Sequence, residues 1–200
     1  MKKGKFIVFE GLDGSGQSTQ AQLLENHLKE KGIDAHLTKE PTDNLIGGLI
    51  RGRLKGEWET GPECLQLLFT ADRAHHLEKE IIPLLEKGVW VICDRYFFST
   101  IAFGSLEIDN FEWLKTLNER FLLPDRGFFL EVSPKECVRR IKGNRFTFEL
   151  FEKEKKLEGI KKGYERAVKD YDPLLKVDGE RSQEEVFSDI KKRISEEFNI

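Results

Sequence analysis

The residue types that can do chemistry concentrate first in one short stretch, Gly11-Leu12-Asp13-Gly14-Ser15-Gly16-Gln17-Ser18-Thr19, which follows the apolar run Phe6-Ile7-Val8-Phe9. Gly11, Gly14 and Gly16 admit positive φ and close backbone approach. Successive N–H groups can therefore wrap a polyphosphate at the positive end of the helix that opens next. Ser18 stands where a hydroxyl ligates Mg²⁺. The spacing is that of a phosphate-binding loop: glycine, four residues, glycine, lysine, then serine or threonine. One position departs, because Gln17 occupies the lysine site. Gln17 keeps a long side chain with an N–H donor and loses the cation, and a comparable loss of charge stabilisation costs about 3–4 kcal/mol in other sites.

A second set of polar groups has to be brought to that loop if phosphate is to be worked on. Asp94, ending the apolar run Val89-Trp90-Val91-Ile92-Cys93, is placed like the acidic residue that holds Mg²⁺ near such a loop, directly or through water. Arg95 beside it carries a fork of donors suited to phosphate. Arg51 and Arg53 are candidate phosphate contacts, with plain exposure an equal reading. Phe69 and Arg73 lie one helical turn apart on one face, although stripe position alone makes Phe69 a core residue. Arg139, Arg140, Lys142 and Arg145 open a charge-dense stretch that reads as an exposed, mobile cover.

Positioning these groups calls for alternating strands and helices. After the first apolar run, strands are expected at 33–38, 89–93, 127–132 and 174–177, with 89–93 an uninterrupted apolar run suited to a strand buried on both faces. Ala21, Leu24 and Leu28 give the first helix its buried stripe. A short helix is expected at 45–54, and a long one opens at Gly61-Pro62 and kinks or restarts at Pro83. Ser133, Pro134 and Glu136 supply an N-cap, a first-turn proline and a capping-box glutamate for a helix stopping near Gly143. Ser182 with Glu185 caps the last helix, which carries Val186, Ile190, Ile194 and Phe198 on one face. Such alternation predicts one α/β domain over residues 1–200, a parallel sheet with helices on both faces. Its ligands belong beyond the carboxyl ends of the strands, where the loop, Lys39-Glu40-Pro41, Asp94-Arg95-Tyr96 and Ser133 all fall.

Composition narrows the partners. The chain is 38% hydrophobic and 34% charged with no long apolar span, so no membrane crossing is expected. A formal charge of −3 gives no global attraction to nucleic acid, and any phosphate must be held by local cations. Cys64, Cys93 and Cys137 are odd in number and widely spaced, which argues against a disulfide framework and a zinc cluster. His75 and His76 point to different sides of a helix, so no metal site is expected from them. Met1-Lys2-Lys3 runs almost directly into the first strand without an apolar leader, and a cytoplasmic location is expected.

Read in order, the motifs resemble the thymidylate kinases, P-loop nucleoside-monophosphate kinases that make dTDP from dTMP and ATP. The resemblance spans almost the whole chain: Phe9-Glu10-Gly11-Leu12-Asp13-Gly14-Ser15-Gly16 with Ser18-Thr19-Gln20, Glu40-Pro41, Phe69-Thr70-Ala71-Asp72-Arg73, Asp94-Arg95-Tyr96 with Ser99 and Ala102, Leu123-Pro124-Asp125, and Asn144-Arg145-Phe146. It implies a P-loop NTPase-type three-layer fold, five parallel strands flanked by helices, with a charged lid at about residues 139–157. It also implies ATP and dTMP as substrates in dTTP synthesis, Mg²⁺ as cofactor, and a homodimer.

The resemblance assigns roles residue by residue. ATP falls to Gly11, Leu12, Asp13, Gly14, Ser15, Gly16, Gln17, Ser18 and Thr19 with Arg140 and Arg145, and the metal to Ser18 and Asp94. The acceptor nucleotide falls to Asp13, Glu40, Pro41, Arg51, Phe69, Arg73, Arg95, Ser99 and Phe103. Within that set Phe69 stacks on the base, Arg73 reaches base or phosphate, and Arg95 grips the monophosphate. Asp13 contacts the 3′-hydroxyl or the metal shell. Asp13, Gln17, Arg95 and the lid cation Arg145 form the catalytic set. Phe103 stands where the family usually has a tyrosine, and Gly104 where it commonly has a glutamine near the base. These departures keep two other readings open at this point, a kinase for another nucleotide or nucleoside, and a nucleotide-binding protein whose catalysis is impaired by Gln17.

Overall fold

The computed structural model describes residues 3–142 and 148–200. Its frame is a five-stranded, wholly parallel sheet made of β1 (Phe6–Gly11), β2 (Ala35–Lys39), β3 (Trp90–Asp94), β4 (Arg126–Glu131) and β5 (Leu174–Asp178). The strands lie in the order β2-β3-β1-β4-β5. All six residues of β1 are buried, as a central strand covered on both faces requires. Phe9 pairs with Asp94 on one side and Phe128 on the other, so the phosphate loop and the end of β3 leave the same edge side by side.

Among the described residues, the helices are α1 (Gln17–Glu30), α2 (Leu45–Leu54), α3 (Pro62–His76), α4 (Ile82–Glu86), α5 (Phe97–Gly104), α6 (Phe111–Thr116), α7 (Pro134–Lys142), α8 (Phe148–Asp170) and α9 (Gln183–Phe198). Two apolar layers sandwich the sheet. Ala21, Leu24 and Leu28 of α1 join Val186, Ile190 and Ile194 of α9 on one face. Phe97, Phe98 and Ile101 of α5 join Leu157, Ile160, Tyr164 and Ala167 of α8 on the other.

The structure has the expected strands, with ends shifted by one or two residues; β2 starts at Ala35 rather than 33, and β3 runs on to include Asp94. The restart expected at Pro83 is spread over a π-helical turn, Leu77–Ile81, with Pro83 in the first turn of α4 where no N–H is needed. Neither α5 nor α6 was expected. α5 carries almost no polar period because its apolar residues are covered all round.

Two further expectations are corrected. Leu157 belongs to the stretch read as an exposed cover, yet it is 3% exposed and starts a buried stripe through Ile160, Tyr164 and Ala167. The lysines and glutamates on the other faces of α8 obscure that period in the sequence. The capping box at Ser133 is only half made. Glu136 N–H lies 3.4 Å from Ser133 Oγ, while the Ser133 N–H goes to Glu180 and the Glu136 carboxylate to Arg139 and Arg140. The box at Ser182 and Glu185 is complete. The lid expected at about 139–157 lies partly, and Arg145 wholly, outside the described residues.

Candidate functional site

The loop between β1 and α1 needs its glycines. A Cβ on Gly11 would sit 2.2 Å from Ser15 Oγ, and Gly16, at φ 95°, forms the N-cap of α1. No acidic side chain occupies the first turn of α1, which leaves its N-terminal N–H groups and dipole to an anion. Ser18 Oγ donates to Asp94 Oδ2, while Asp94 Oδ1 is buried with no hydrogen-bond partner among the described residues. Burial raises the Asp94 carboxyl above its ordinary range, opposed by Ser18, Arg95 and Lys39. A desolvated carboxylate with an open oxygen beside a hydroxyl is a donor set that fits a hard divalent cation such as Mg²⁺.

Gln17 does not extend over the loop. Its amide nitrogen donates to the Leu12 carbonyl at 3.1 Å and to Ser15 Oγ, and its oxygen accepts from Arg95 Nη2 at 2.6 Å and Nε at 3.3 Å. The opposite orientation would set the amide nitrogen against the Arg95 donors. Arg95 also reaches Asp13 at 2.9 Å, the Gly11 carbonyl at 3.0 Å, and Ser99 and Tyr164 at 3.2 Å. Its guanidinium lies 5.2 Å from the centre of the Phe103 ring. The backbone of Arg95 is left-handed, φ 72°, a conformation uncommon outside glycine that puts its side chain back across the loop.

Two cavities flank this loop. One, of about 450 Å³, is lined by Gly14, Ser15, Gly16 and Thr19, by Arg139 and Arg140 of α7, and by Gly179 to Ser182 with Gln183 at the start of α9. Arg140 bolts these parts together, donating to the Ser15 carbonyl at 3.2 Å and the Gly179 carbonyl at 3.0 Å while Glu136 holds its Nε at 2.8 Å. Arg139 and Arg140 in turn pull the Glu136 carboxyl down to about 2.

The other cavity, of about 420 Å³, is lined by Asp13, Glu40, Pro41, Phe69, Arg73, Arg95, Ser99 and Phe103, together with Gln66, Thr100 and Lys156, which the sequence reading did not single out. Arg73 is 1% exposed and forms its floor, bonded to Glu40, Asn118 and Thr100. Arg51 is not part of that lining; it is bonded to the Thr42 carbonyl and paired with Asp43 at 3.3 Å. Arg53 donates to the Thr60 carbonyl. Glu40, His76 and Cys93 come within 4.8 Å of one another, but Arg73 already neutralises Glu40 and His76 bridges Glu40 to Thr38, so the cluster is a hydrogen-bonded network.

Glu10 and Tyr164 were also missed. Glu10 is fully buried and accepts from the Tyr96 N–H at 2.8 Å, the Ser99 hydroxyl at 2.5 Å and the Tyr164 hydroxyl at 3.0 Å. Burial pushes its carboxyl up to about 7 against the pull of Ser99, Arg95, Tyr96 and Tyr164. Tyr164 stacks on Phe129 at 4.8 Å and was hidden in the charge-rich helix.

A glycine loop leading into a helix, an acidic strand end beside its serine, and a cavity on each side define a P-loop nucleotide-binding protein of the kinase type. The family profile for thymidylate kinase matches residues 9–190. The chain is 40% identical to a probable thymidylate kinase of Pyrococcus abyssi, with 98% of each chain covered. It is 38% identical to a thymidylate kinase of Plasmodium falciparum over 100% of this chain and 96% of that one. A thymidylate kinase of Carboxydothermus hydrogenoformans is 35% identical over 94% and 96%. The chain belongs to the thymidylate kinase family.

The Glu10 carboxyl carries a pH dependence whose sign follows from its environment. Its folded value of about 7 lies above the ordinary 4.5, so the native state holds a proton that the unfolded chain releases. Its stabilising contribution is full below 4.5 and is lost as pH rises through about 7, with a total of about 3 kcal/mol. Glu10→Gln is expected to flatten this fall: thermal unfolding from pH 5 to pH 8 should show a smaller drop in Tm for the variant than for the parent, and equal drops would disprove the assignment.

Proposed function

We propose that the protein transfers the γ-phosphoryl group of ATP to dTMP, giving ADP and dTDP. The observation that carries this reading is one phosphate loop with a cavity on either side, bridged at the second by Asp13 and Arg95. ATP lies with its phosphates on the loop N–H groups and its nucleoside toward the Gly179–Gln183 turn and Arg140. dTMP lies in the second cavity, its ring against Phe69 and its phosphate on Arg95.

In this arrangement a phosphate oxygen of dTMP attacks Pγ in line, the new P–O bond forming as the bond to the β–γ bridging oxygen breaks. The attacking phosphate is already an anion, so no strong base is required and positioning dominates. Arg95 holds the acceptor phosphate, Asp13 fixes the Arg95 fork, and the first turn of α1 orients the donor phosphates. Ser18 and Asp94 are the residues that would hold Mg²⁺, which when bound neutralises charge on the donor phosphates. Arg145 remains the proposed lid cation.

We place the reaction in the cytoplasm, a reading supported by three unpaired cysteines, and in a homodimer. The dimer is supported by exposed Leu45, Leu49 and Leu54 on α2 and Leu67 on the neighbouring α3. Sedimentation equilibrium is expected to return twice the chain mass at micromolar concentration; a monomer mass there rejects the dimer.

Coupled ADP release measured across dTMP, dUMP, UMP, CMP and AMP with ATP and Mg²⁺ is expected to show the highest kcat/KM for dTMP. No turnover of dTMP at high enzyme concentration defeats the proposal. Gln17→Lys restores a cation where charge transfers, at the expense of crowding Arg95 in the ligand-free protein. Steady-state kinetics should give a kcat raised by on the order of tenfold or more, with a lower Tm before nucleotide is added; an unchanged kcat means another group already does that work.

A further inference from the structure

Gln66, Phe69 and Arg73 fall at i, i+3 and i+7 on α3, and all three line the cavity assigned above to the acceptor nucleotide. Phe69 offers a ring face, and Arg73 has spent donors on Glu40, Asn118 and Thr100. Gln66 differs from both. It is 4% exposed, and its Oε1 is buried with no hydrogen-bond partner among the described residues. Native interiors rarely leave an amide oxygen in that condition, and in a residue that lines a cavity it points to a donor brought by a ligand.

The facing helix explains how Gln66 holds this place. Gly104 at the end of α5 has no side chain, and a Cβ built there would lie 3.1 Å from Gln66 Cδ, 3.3 Å from its Nε2 and 3.0 Å from Leu114 Cδ2. Gln66 and Leu114 therefore fill the room that a side chain at position 104 would take.

We propose that Gln66 is a specificity-determining residue whose Oε1 accepts the N3–H of the acceptor's pyrimidine base. The proposal rests on the reading of this cavity as the dTMP site. Thymine and uracil carry a hydrogen on N3, whereas N3 of cytosine is itself an acceptor and would face the Gln66 oxygen without a proton between them. Phe69 contributes stacking that every base satisfies, so selection along this edge falls to Gln66.

The test pairs a residue change with a ligand change. Gln66→Leu keeps the volume and removes the amide, with Gln66→Met as a second apolar variant of similar length should the first misfold. Calorimetric titration with dTMP and with N3-methyl-dTMP is expected to show the parent preferring dTMP by at least about tenfold, and the apolar variant binding the two within about threefold. Kinetics should show KM for dTMP raised at least about tenfold in the variant, with kcat and KM for ATP within about threefold. A variant that folds and keeps the full preference for dTMP over the methylated nucleotide overturns the role of Gln66 while leaving the acceptor site intact. A parent that binds no dTMP overturns both.

Discussion

The arrangement depends on one buried carboxylate. Glu10 ends the apolar part of the central strand and accepts the N–H of Tyr96 and the hydroxyls of Ser99 and Tyr164. Those three partners come from the turn after β3, from the first turn of α5 and from the middle of α8. α5 has no side-chain cap of its own, so the Glu10 oxygens, from another strand, accept the N–H groups of Tyr96 and Ser99 at its N-terminus. The tether holds the residue after Arg95, and the Phe9 carbonyl accepts the Arg95 N–H at 2.9 Å; together these bonds flank a left-handed residue whose conformation costs about 1–3 kcal/mol. Desolvating the acid is the cost of the tether, and the result is a guanidinium that leaves β3 and turns back over the loop leaving β1.

The parts of this site that are local in the chain were legible in the sequence. Glycine spacing from Gly11 to Gly16 and the apolar runs ending at Phe9 and Cys93 each announce their conformation within a few residues. The parallel sheet followed from their alternation with helical stripes. What was not legible depends on long-range meetings. Tyr164 reaches Arg95 across 69 positions and sits in a helix whose charges mask its buried stripe. Glu10 stands in the opening motif with no role of its own until its partners are known. α5 escaped because a helix covered on all sides has no amphipathic period to detect. Gln66 looks like a polar interruption of a core stripe, and only the bare backbone of Gly104 across from it makes its position intelligible.

The missing lysine takes on a different meaning within this geometry. Gln17 sits under the loop with its oxygen on Arg95, in a space 6% exposed, and any cation there would stand against a guanidinium. A neutral acceptor removes that repulsion and adds a hydrogen bond, so the loop and Arg95 are held in one arrangement. Two guanidiniums flank the loop instead. Arg95 lines the second cavity, and Arg140, bound to the loop carbonyl of Ser15, lines the first. Asp13 and Glu136 hold these two cations respectively, so each guanidinium is oriented by a carboxylate that phosphate oxygens can displace or share. Among the described residues a guanidinium stands at each flank of the loop, where a loop lysine would put one cation in the middle. On the proposed placement of the nucleotides, transfer across the loop then depends on how closely they are brought together between these flanks.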